Sequence, residues 1–306
     1  MKIFALITSI FAIYVSSAFV RLELYASVGL LILGSIGLSI LLQKILAQEK
    51  QYASKFIFPT VIIILFIIPL VSPDDNNWLG WADFAPSILT GGAATYSDTS
   101  DDWKDAMQWL KENSEPDAVI ASWWDYGYWI TTMSDRTTIV DNATLNTKQI
   151  LKMAKMLMST PENSWNILKE MNADYVVIFL SAQKINDNID DKLYVLGPGG
   201  DESKAPWFLQ IGEFPIERYY ESDLATFSNY FYEQTMLGKM IPFTTVLYYN
   251  PQTQENSLSY KPGFVQILTN DIKYDSDDEP LKLVYASPSL MNEKAGPMNK
   301  IGRAHV

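Results

Sequence analysis

The sequence has no cysteine and one histidine, His305. The first absence excludes disulfides, thiolate nucleophiles and every Cys-based zinc site. The second removes histidine triads, HExxH zinc sites and histidine-led acid–base chemistry. His305 lies in the closing run 301–306, Ile-Gly-Arg-Ala-His-Val, which reads as the in-frame translation of a sequencing-adapter oligonucleotide, so those six residues are set apart from the fold. A net charge of −12 leaves no basic surface for nucleic acid.

The charge is unevenly spread. Residues 1–72 carry Lys2, Arg21, Lys44, Lys50 and Lys55 against Glu23 and Glu49, net +3, which leaves −15 on the rest. That first segment holds three apolar runs, Ile3–Val20, Leu24–Leu42 and Phe56–Val71, each near the roughly 20 residues a membrane-spanning helix needs. Three runs in series predict three transmembrane helices rather than a signal peptide. The lysines of the second connection place that side in the cytoplasm, so the chain after Val71 is expected outside it. Arg21 breaks the pattern. It falls at the outer end of the first helix, where a cation is a functional candidate or a snorkelling partner of Glu23.

A linker, 73–100, with Trp78 and Trp81, leads to a domain predicted over 101–300. Helices are expected at about Asp102–Asn113, Tyr126–Met133, Thr147–Met158 and Ser164–Met171. Strands are expected at Ala118–Ser122, Thr137–Val140, Asp174–Leu180, Phe243–Tyr249, Gly263–Leu268 and Leu281–Ala286. The alternation predicts a mixed α/β domain with a partly parallel sheet. The acidic run Asp271–Glu279 reads as a solvated loop.

Ser122-Trp123-Trp124-Asp125-Tyr126-Gly127-Tyr128-Trp129 concentrates five aromatic rings and one carboxylate at a strand exit. Indole N–H groups donate and a carboxylate accepts, so Trp123, Trp124 and Asp125 together could grip one hydroxyl. Two other readings stay open on the residues alone: an aromatic core cluster with Asp125 capping the next helix and Gly127 giving a sharp turn, or a tryptophan face that stacks on a sugar.

Trp-Trp-Asp-Tyr-Gly, preceded by Trp109-Leu-Lys-Glu-Asn113 and followed by Arg136-Thr-Thr-Ile-Val-Asp-Asn142, resembles the signature of oligosaccharyltransferase catalytic subunits, with the archaeal AglB branch nearest. The resemblance implies an enzyme that moves a glycan from a lipid-linked (dolichol-type phosphate) oligosaccharide to the Asn of an Asn-x-Ser/Thr acceptor polypeptide. It implies a multi-pass cell-membrane protein in contact with lipid, with its C-terminal domain extracytoplasmic. Trp123, Trp124 and Asp125 would then bind the acceptor hydroxyl, with Tyr126 and Gly127 in support.

The family's second element, Asp, then Lys three residues on and Met or Ile four beyond that, is similar to Asp201, Lys204 and Phe208 here, the last a departure. Pro206 is expected to kink that helix. Phe208 is expected to face the acceptor threonine methyl, Asp201 to support Lys204, and Arg21 and Tyr128 to approach the lipid phosphate. The Mg or Mn of the family is implied too, but its acidic ligands belong to outer loops before the part seen here. No catalytic or metal-binding residue is therefore assigned, the chain reads as a C-terminal part of a longer enzyme, and alone it is expected to be inactive. Asn142-Ala143-Thr144 is itself a sequon, expected to stay unmodified because it follows a buried strand. The alternative function is a membrane-tethered carbohydrate-binding protein without catalysis.

Overall fold

The computed structural model describes residues 2–18, 23–47, 52–72, 77–82, 88–89, 100–185, 193–270, 281–287 and 299–305. Arg21 and the acidic run 271–279 lie outside them. Two compact units divide the chain, Met1–Phe84 and Ala85–Val306.

The first unit comprises the apolar helices α1 (Lys2–Ala18), α2 (Glu23–Leu46) and α3 (Tyr52–Val71), and the short α4 (Trp78–Ala82). Helices α1 and α2 meet where a glycine allows it. A Cβ on Gly29 would stand 2.9 Å from the Ser9 Cα, and the Ser9 hydroxyl crosses to the Gly29 carbonyl at 2.9 Å. Among the described residues one helix, Tyr25–Leu46, is long and apolar enough to cross a membrane. The flanking apolar stretches, Ile3–Ser17 and Lys55–Val71, are shorter, so three helices form but one span meets the length criterion.

The second unit is a mixed α/β domain. In chain order it contains α5 (Asp102–Asn113), β1 (Val119–Ser122), α6 (Gly127–Trp129), β2 (Thr137–Thr138), α7 (Thr147–Met158), α8 (Pro161–Glu170), β3 (Tyr175–Lys184) and β4 (Leu193–Leu196). Then follow α9 (Ala205–Gly212), α10 (Asn229–Gln234), α11 (Met236–Met240), β5 (Phe243–Asn250), β6 (Glu255–Ser257), β7 (Val265–Asn270), β8 (Leu283–Ala286) and β9 (Asn299–His305). The main sheet path is β2-β1-β3-β4-β7-β5-β6, with β9 on β3 and β8 on β9. Strand β1 is parallel to both β2 and β3, and the remaining pairs are antiparallel. The predicted part-parallel sheet is therefore present.

Several predicted elements shift. The strand expected over Thr137–Val140 is only Thr137–Thr138; the Ile139 N–H still reaches the Ile120 carbonyl at 3.2 Å, and the Thr138 hydroxyl bonds the Val140 carbonyl at 2.8 Å as the chain turns away. The helix expected over Tyr126–Met133 is three pieces: a 3-10 turn at Trp124–Tyr126, α6, and a π-helical turn at Ile130–Ser134. Pro206 sits in the first turn of α9, where a missing amide hydrogen costs no helical bond, so it starts that helix rather than kinking it. Strands β4 and β6 and helices α10 and α11 carry no periodicity long enough to read from sequence. Residues read as a translated adapter lie in β9, whose main chain pairs with β3 from Val176 to Ala182. Ladder bonds are main-chain bonds, and an open edge accepts any extended segment.

Strand β3 organises the domain. Val176, Val177, Ile178, Phe179 and Leu180 are all buried. One edge carries β9; the other is shared end to end by β1, paired as far as Val177, and β4, paired from Ala182. Between them the edge from Ile178 to Ser181 has no strand partner among the described residues, and what fills that gap positions the site described below.

Arg136 ties α5 to the π-helical turn. Its guanidinium is buried and donates to the carbonyls of Lys111 (2.8 Å), Ser114 (2.7 Å), Ser134 (3.2 Å) and Asp135 (3.1 Å), and to the Ser114 hydroxyl (2.7 Å). A cation among the last carbonyls of a helix also meets the negative end of its dipole. Replacement by leucine leaves those carbonyls buried and unpaired, and Arg136→Leu is expected to lower the unfolding free energy by on the order of 3 kcal/mol. Denaturant midpoints of wild type and variant measure it.

Candidate functional site

The aromatic segment begins where β1 ends. Ser122 closes the strand, Trp123 is extended, and the chain turns into the 3-10 piece with the Tyr126 N–H on the Trp123 carbonyl at 3.2 Å. This sorts the side chains by role. Trp123 is 4% exposed and sets its ring edge-on against Phe208, centroids 4.5 Å apart. Tyr126 is buried against Trp103 (4.5 Å) and Phe179 (6.2 Å), and Trp129 packs on Trp103. Trp124 and Asp125 stay half-buried, while Tyr128 is 50% exposed. Core packing is thus the correct account of Trp123, Tyr126 and Trp129 as rings; it leaves Trp124 and Asp125 at the surface of the cluster.

The N-cap positions of the 3-10 piece and of α6 are Trp123 and Tyr126, and neither side chain caps its helix. Gly127 has φ −56°, an ordinary helical value, and turning is not why glycine stands there. A Cβ at Gly127 would lie 2.5 Å from the Asp141 Cα and 2.6 Å from the Val140 carbonyl oxygen. The glycine lets the chain after β2 pass against the motif, and that contact brings Asn142 to it. The Asn142 amide donates to the Asp125 carbonyl at 2.9 Å, and its oxygen accepts the Tyr128 N–H at 3.1 Å.

The second element occupies the gap on the β3 edge. The Asp201 N–H donates to the Phe179 carbonyl at 2.6 Å, the Asp201 carboxylate accepts the Phe179 N–H at 2.9 Å, and Glu202 accepts the Ser181 N–H at 3.4 Å. The turn 200–204 therefore stands in for the missing strand, using side-chain carboxylates in place of carbonyls. The absence of a Cβ at Gly200 leaves room for the Glu202 carboxyl, which occupies the space that a Cβ there would fill.

Seated there, the turn delivers Lys204 to the first motif. The Lys204 Nζ lies 2.9 Å from Asp125 Oδ2, 2.6 Å from the Tyr126 hydroxyl and 3.5 Å from Asp201 Oδ1, and 4.5 Å over the Tyr126 ring. An ammonium can only donate. The Tyr126 oxygen must therefore accept from Lys204, and its own proton goes to Asp201 Oδ1 at 2.7 Å. The polarity of the network is fixed: Lys204 to Tyr126 to Asp201, with Asp125 on the outer side of the same ammonium.

Burial raises the Tyr126 phenol well above its ordinary value, with Asp201 adding to the rise, so the hydroxyl keeps the proton it donates. Burial also raises Asp201, opposed by Lys204, the Phe179 N–H and Tyr126. Glu202, enclosed with one oxygen unpartnered among the described residues, is raised well above its usual range, again mainly by burial.

Asp125, Tyr126, Asp201 and Lys204 are thus brought together. Trp123 and Trp124 lie beside them, with ring centroids 5.9 Å apart and planes tilted at 45°. Phe208 is fully enclosed and its ring backs Trp123. A stacking face for a free sugar needs exposed, near-coplanar rings, and the buried, tilted Trp123 does not provide one. Arg21 lies outside the described residues. No three His, Asp or Glu side chains among the described residues come together to hold a metal ion, so the described residues do not fit the implied Mg or Mn. Sequence reasoning does not find Arg136, Asn142 and Glu202 as site-shaping residues: their roles depend on partners distant in sequence, though Arg136 and Asn142 do bound the string that follows the motif.

Residues 116–195 match the STT3/PglB/AglB core domain. The chain is 40% identical over 114 residues to the dolichyl-diphosphooligosaccharide–protein glycosyltransferase subunit STT3 of Saccharomyces cerevisiae, covering 37% of this chain and 14% of that protein. It is 28% identical over 234 residues to the corresponding subunit of Dictyostelium discoideum, covering 71% and 32%. Both relatives are eukaryotic, whereas the motif resemblance pointed to the archaeal branch. The chain spans a third or less of these relatives' lengths. Among solved structures, the C-terminal globular domain of an oligosaccharyltransferase from Archaeoglobus fulgidus is 22% identical, covering 57% of this chain and 99% of that domain, with a TM-score of 0.34.

Glu202 generates a pH prediction. Its folded pKa is raised above the unfolded value of 4.5, so the folded state holds the proton more tightly and stability falls as pH rises above that value. Glu202→Gln removes that proton dependence. Between pH 5 and pH 8 the wild type should lose stability that the variant retains, read as the difference in their denaturant midpoints.

Proposed function

We propose that the chain is part of an oligosaccharyltransferase of the STT3, PglB and AglB type, a reading supported by the match of residues 116–195 to that core domain, and that its second unit reads the acceptor Ser/Thr hydroxyl during transfer of a glycan from a dolichol-type lipid carrier to asparagine. The observation that carries this reading is the 2.9 Å ion pair between Lys204 and Asp125, which joins the two motifs into one unit.

Asp125 accepts a hydrogen bond from the acceptor hydroxyl, and the Trp124 indole, half-buried beside it, donates to the hydroxyl oxygen. Trp123, held from behind by Phe208, forms the wall of the pocket and keeps water from competing. Lys204 orients the Asp125 carboxylate from the side away from the acceptor, and Tyr126 and Asp201 hold the ammonium in place. The acceptor asparagine amide nitrogen attacks the anomeric carbon of the lipid-linked sugar, forming the C–N bond as the bond to the phosphate oxygen breaks; the phosphate-bearing carrier leaves with the electron pair and takes up the proton that the amide nitrogen gives up.

The membrane part of the proposal is a multi-pass anchor with three helices in the first unit and the second unit extracytoplasmic, supported by Lys44, Lys50 and Lys55 in one connection. Arg21 and the exposed Tyr128 are assigned to the carrier phosphate, where a fixed cation stabilises the growing charge of the leaving group.

A hydrogen bond to a charged group contributes about 1.5–3 kcal/mol, or roughly 10- to 150-fold in preference. Asp125→Ala should therefore reduce transfer to Asn-x-Thr peptides and shrink their advantage over Asn-x-Ala peptides by that factor. Acceptor kinetics in which Asp125→Ala keeps the full preference for threonine would return the segment to a packing role.

A further inference from the structure

Asn142 holds Asp125 by its backbone. Its Nδ2 donates to the Asp125 carbonyl at 2.9 Å and its Oδ1 accepts the Tyr128 N–H at 3.1 Å, so one amide bridges the carbonyl of the carboxylate-bearing residue and the amide three positions on. The main chain of a 3-10 turn passing into one turn of α-helix has carbonyls and amides that its own bonds do not fix. Gly127 lets the Asp141 main chain approach closely enough for a side chain as short as asparagine to span them. A donor and an acceptor are both needed, and among short side chains only an amide places the two on separate atoms without charge.

We propose that Asn142 is a positioning residue for acceptor recognition: it fixes the main chain at Asp125 while Lys204 fixes the carboxylate, and the hydroxyl meets a carboxylate held at both ends. The inference rests on the hydroxyl-reading role proposed for Asp125. It has a second consequence. Asn142 heads a sequon, Asn142-Ala143-Thr144, and the nitrogen that would receive a glycan is the one directed at the Asp125 carbonyl. The sequon is thus used as structure.

The test compares Asn142→Ala, Asn142→Asp and Asp125→Ala in the active transferase, with Asn-x-Thr and Asn-x-Ala peptides and saturating lipid-linked oligosaccharide. Asn142→Ala should lower the Thr-over-Ala preference roughly tenfold, mainly through KM for the threonine peptide. Asn142→Asp keeps the acceptor for the Tyr128 N–H but sets a carboxylate against the Asp125 carbonyl, so it should fall at least as far. A merely structural asparagine would lower rates for both peptides equally and leave the ratio unchanged, which would overturn the proposal. Asp125→Ala separates the two levels: loss of preference there but not in the Asn142 variants refutes this inference alone, and retention in Asp125→Ala refutes the hydroxyl-reading role. Peptide mass mapping of protein from the native host should find Asn142 without glycan; full occupancy would contradict the assignment.

Discussion

One ammonium group holds the candidate site together. Lys204 stands between Asp125 on its outer side and the Tyr126 hydroxyl and Asp201 on its inner side, and because it can only donate, it sets the direction of every hydrogen bond that it touches. Two carboxylates share this cation. The inner one is buried and also bonded to the Phe179 N–H and the Tyr126 hydroxyl; the outer one is half-buried. A buried carboxylate with three donors is tolerated where a lone one would be costly, and its burial is what keeps the lysine from swinging into solvent.

The constraint begins in the sheet. Strand β3 has ten residues, but its inner edge is covered by two short strands that leave Ile178 to Ser181 without a ladder partner among the described residues. Buried main-chain groups must be paired, and the turn at 200–204 meets that demand with its own N–H and with the Asp201 and Glu202 carboxylates. The same bonds that complete the sheet fix the distance from Asp201 to Tyr126 and so the reach of Lys204. Site geometry here is a by-product of satisfying a sheet edge.

This explains which parts are legible in the sequence. The amphipathic stripes of α5 and α7 define their bounds directly, since both helices run over the expected residues. The strand ahead of Trp123 shows as a short apolar run, whereas Asp201 and Lys204 stand out only through the family resemblance, since an i,i+3 acid–lysine pair is by itself an ordinary surface feature. What sequence does not show is that Asp201 plugs a gap between two strands, because the gap exists only once β1 and β4 have both paired with β3. Gly127 reads as a turning residue when its reason is the nearness of Asp141. Asn142 reads as a sequon and not as a brace, because its partners, Asp125 and Tyr128, precede it across an irregular 3-10 to π segment that no propensity predicts.

The central claim is that Asp125 and Lys204 act on the acceptor hydroxyl as one unit. A double-mutant cycle with Asp125→Ala and Lys204→Ala, read as the ratio of kcat/KM for Asn-x-Thr over Asn-x-Ala peptides, tests it most directly. The account predicts strong non-additivity, with the double variant losing little more preference than Asp125→Ala alone. Losses that simply multiply would show that the two residues act independently, and would contradict it.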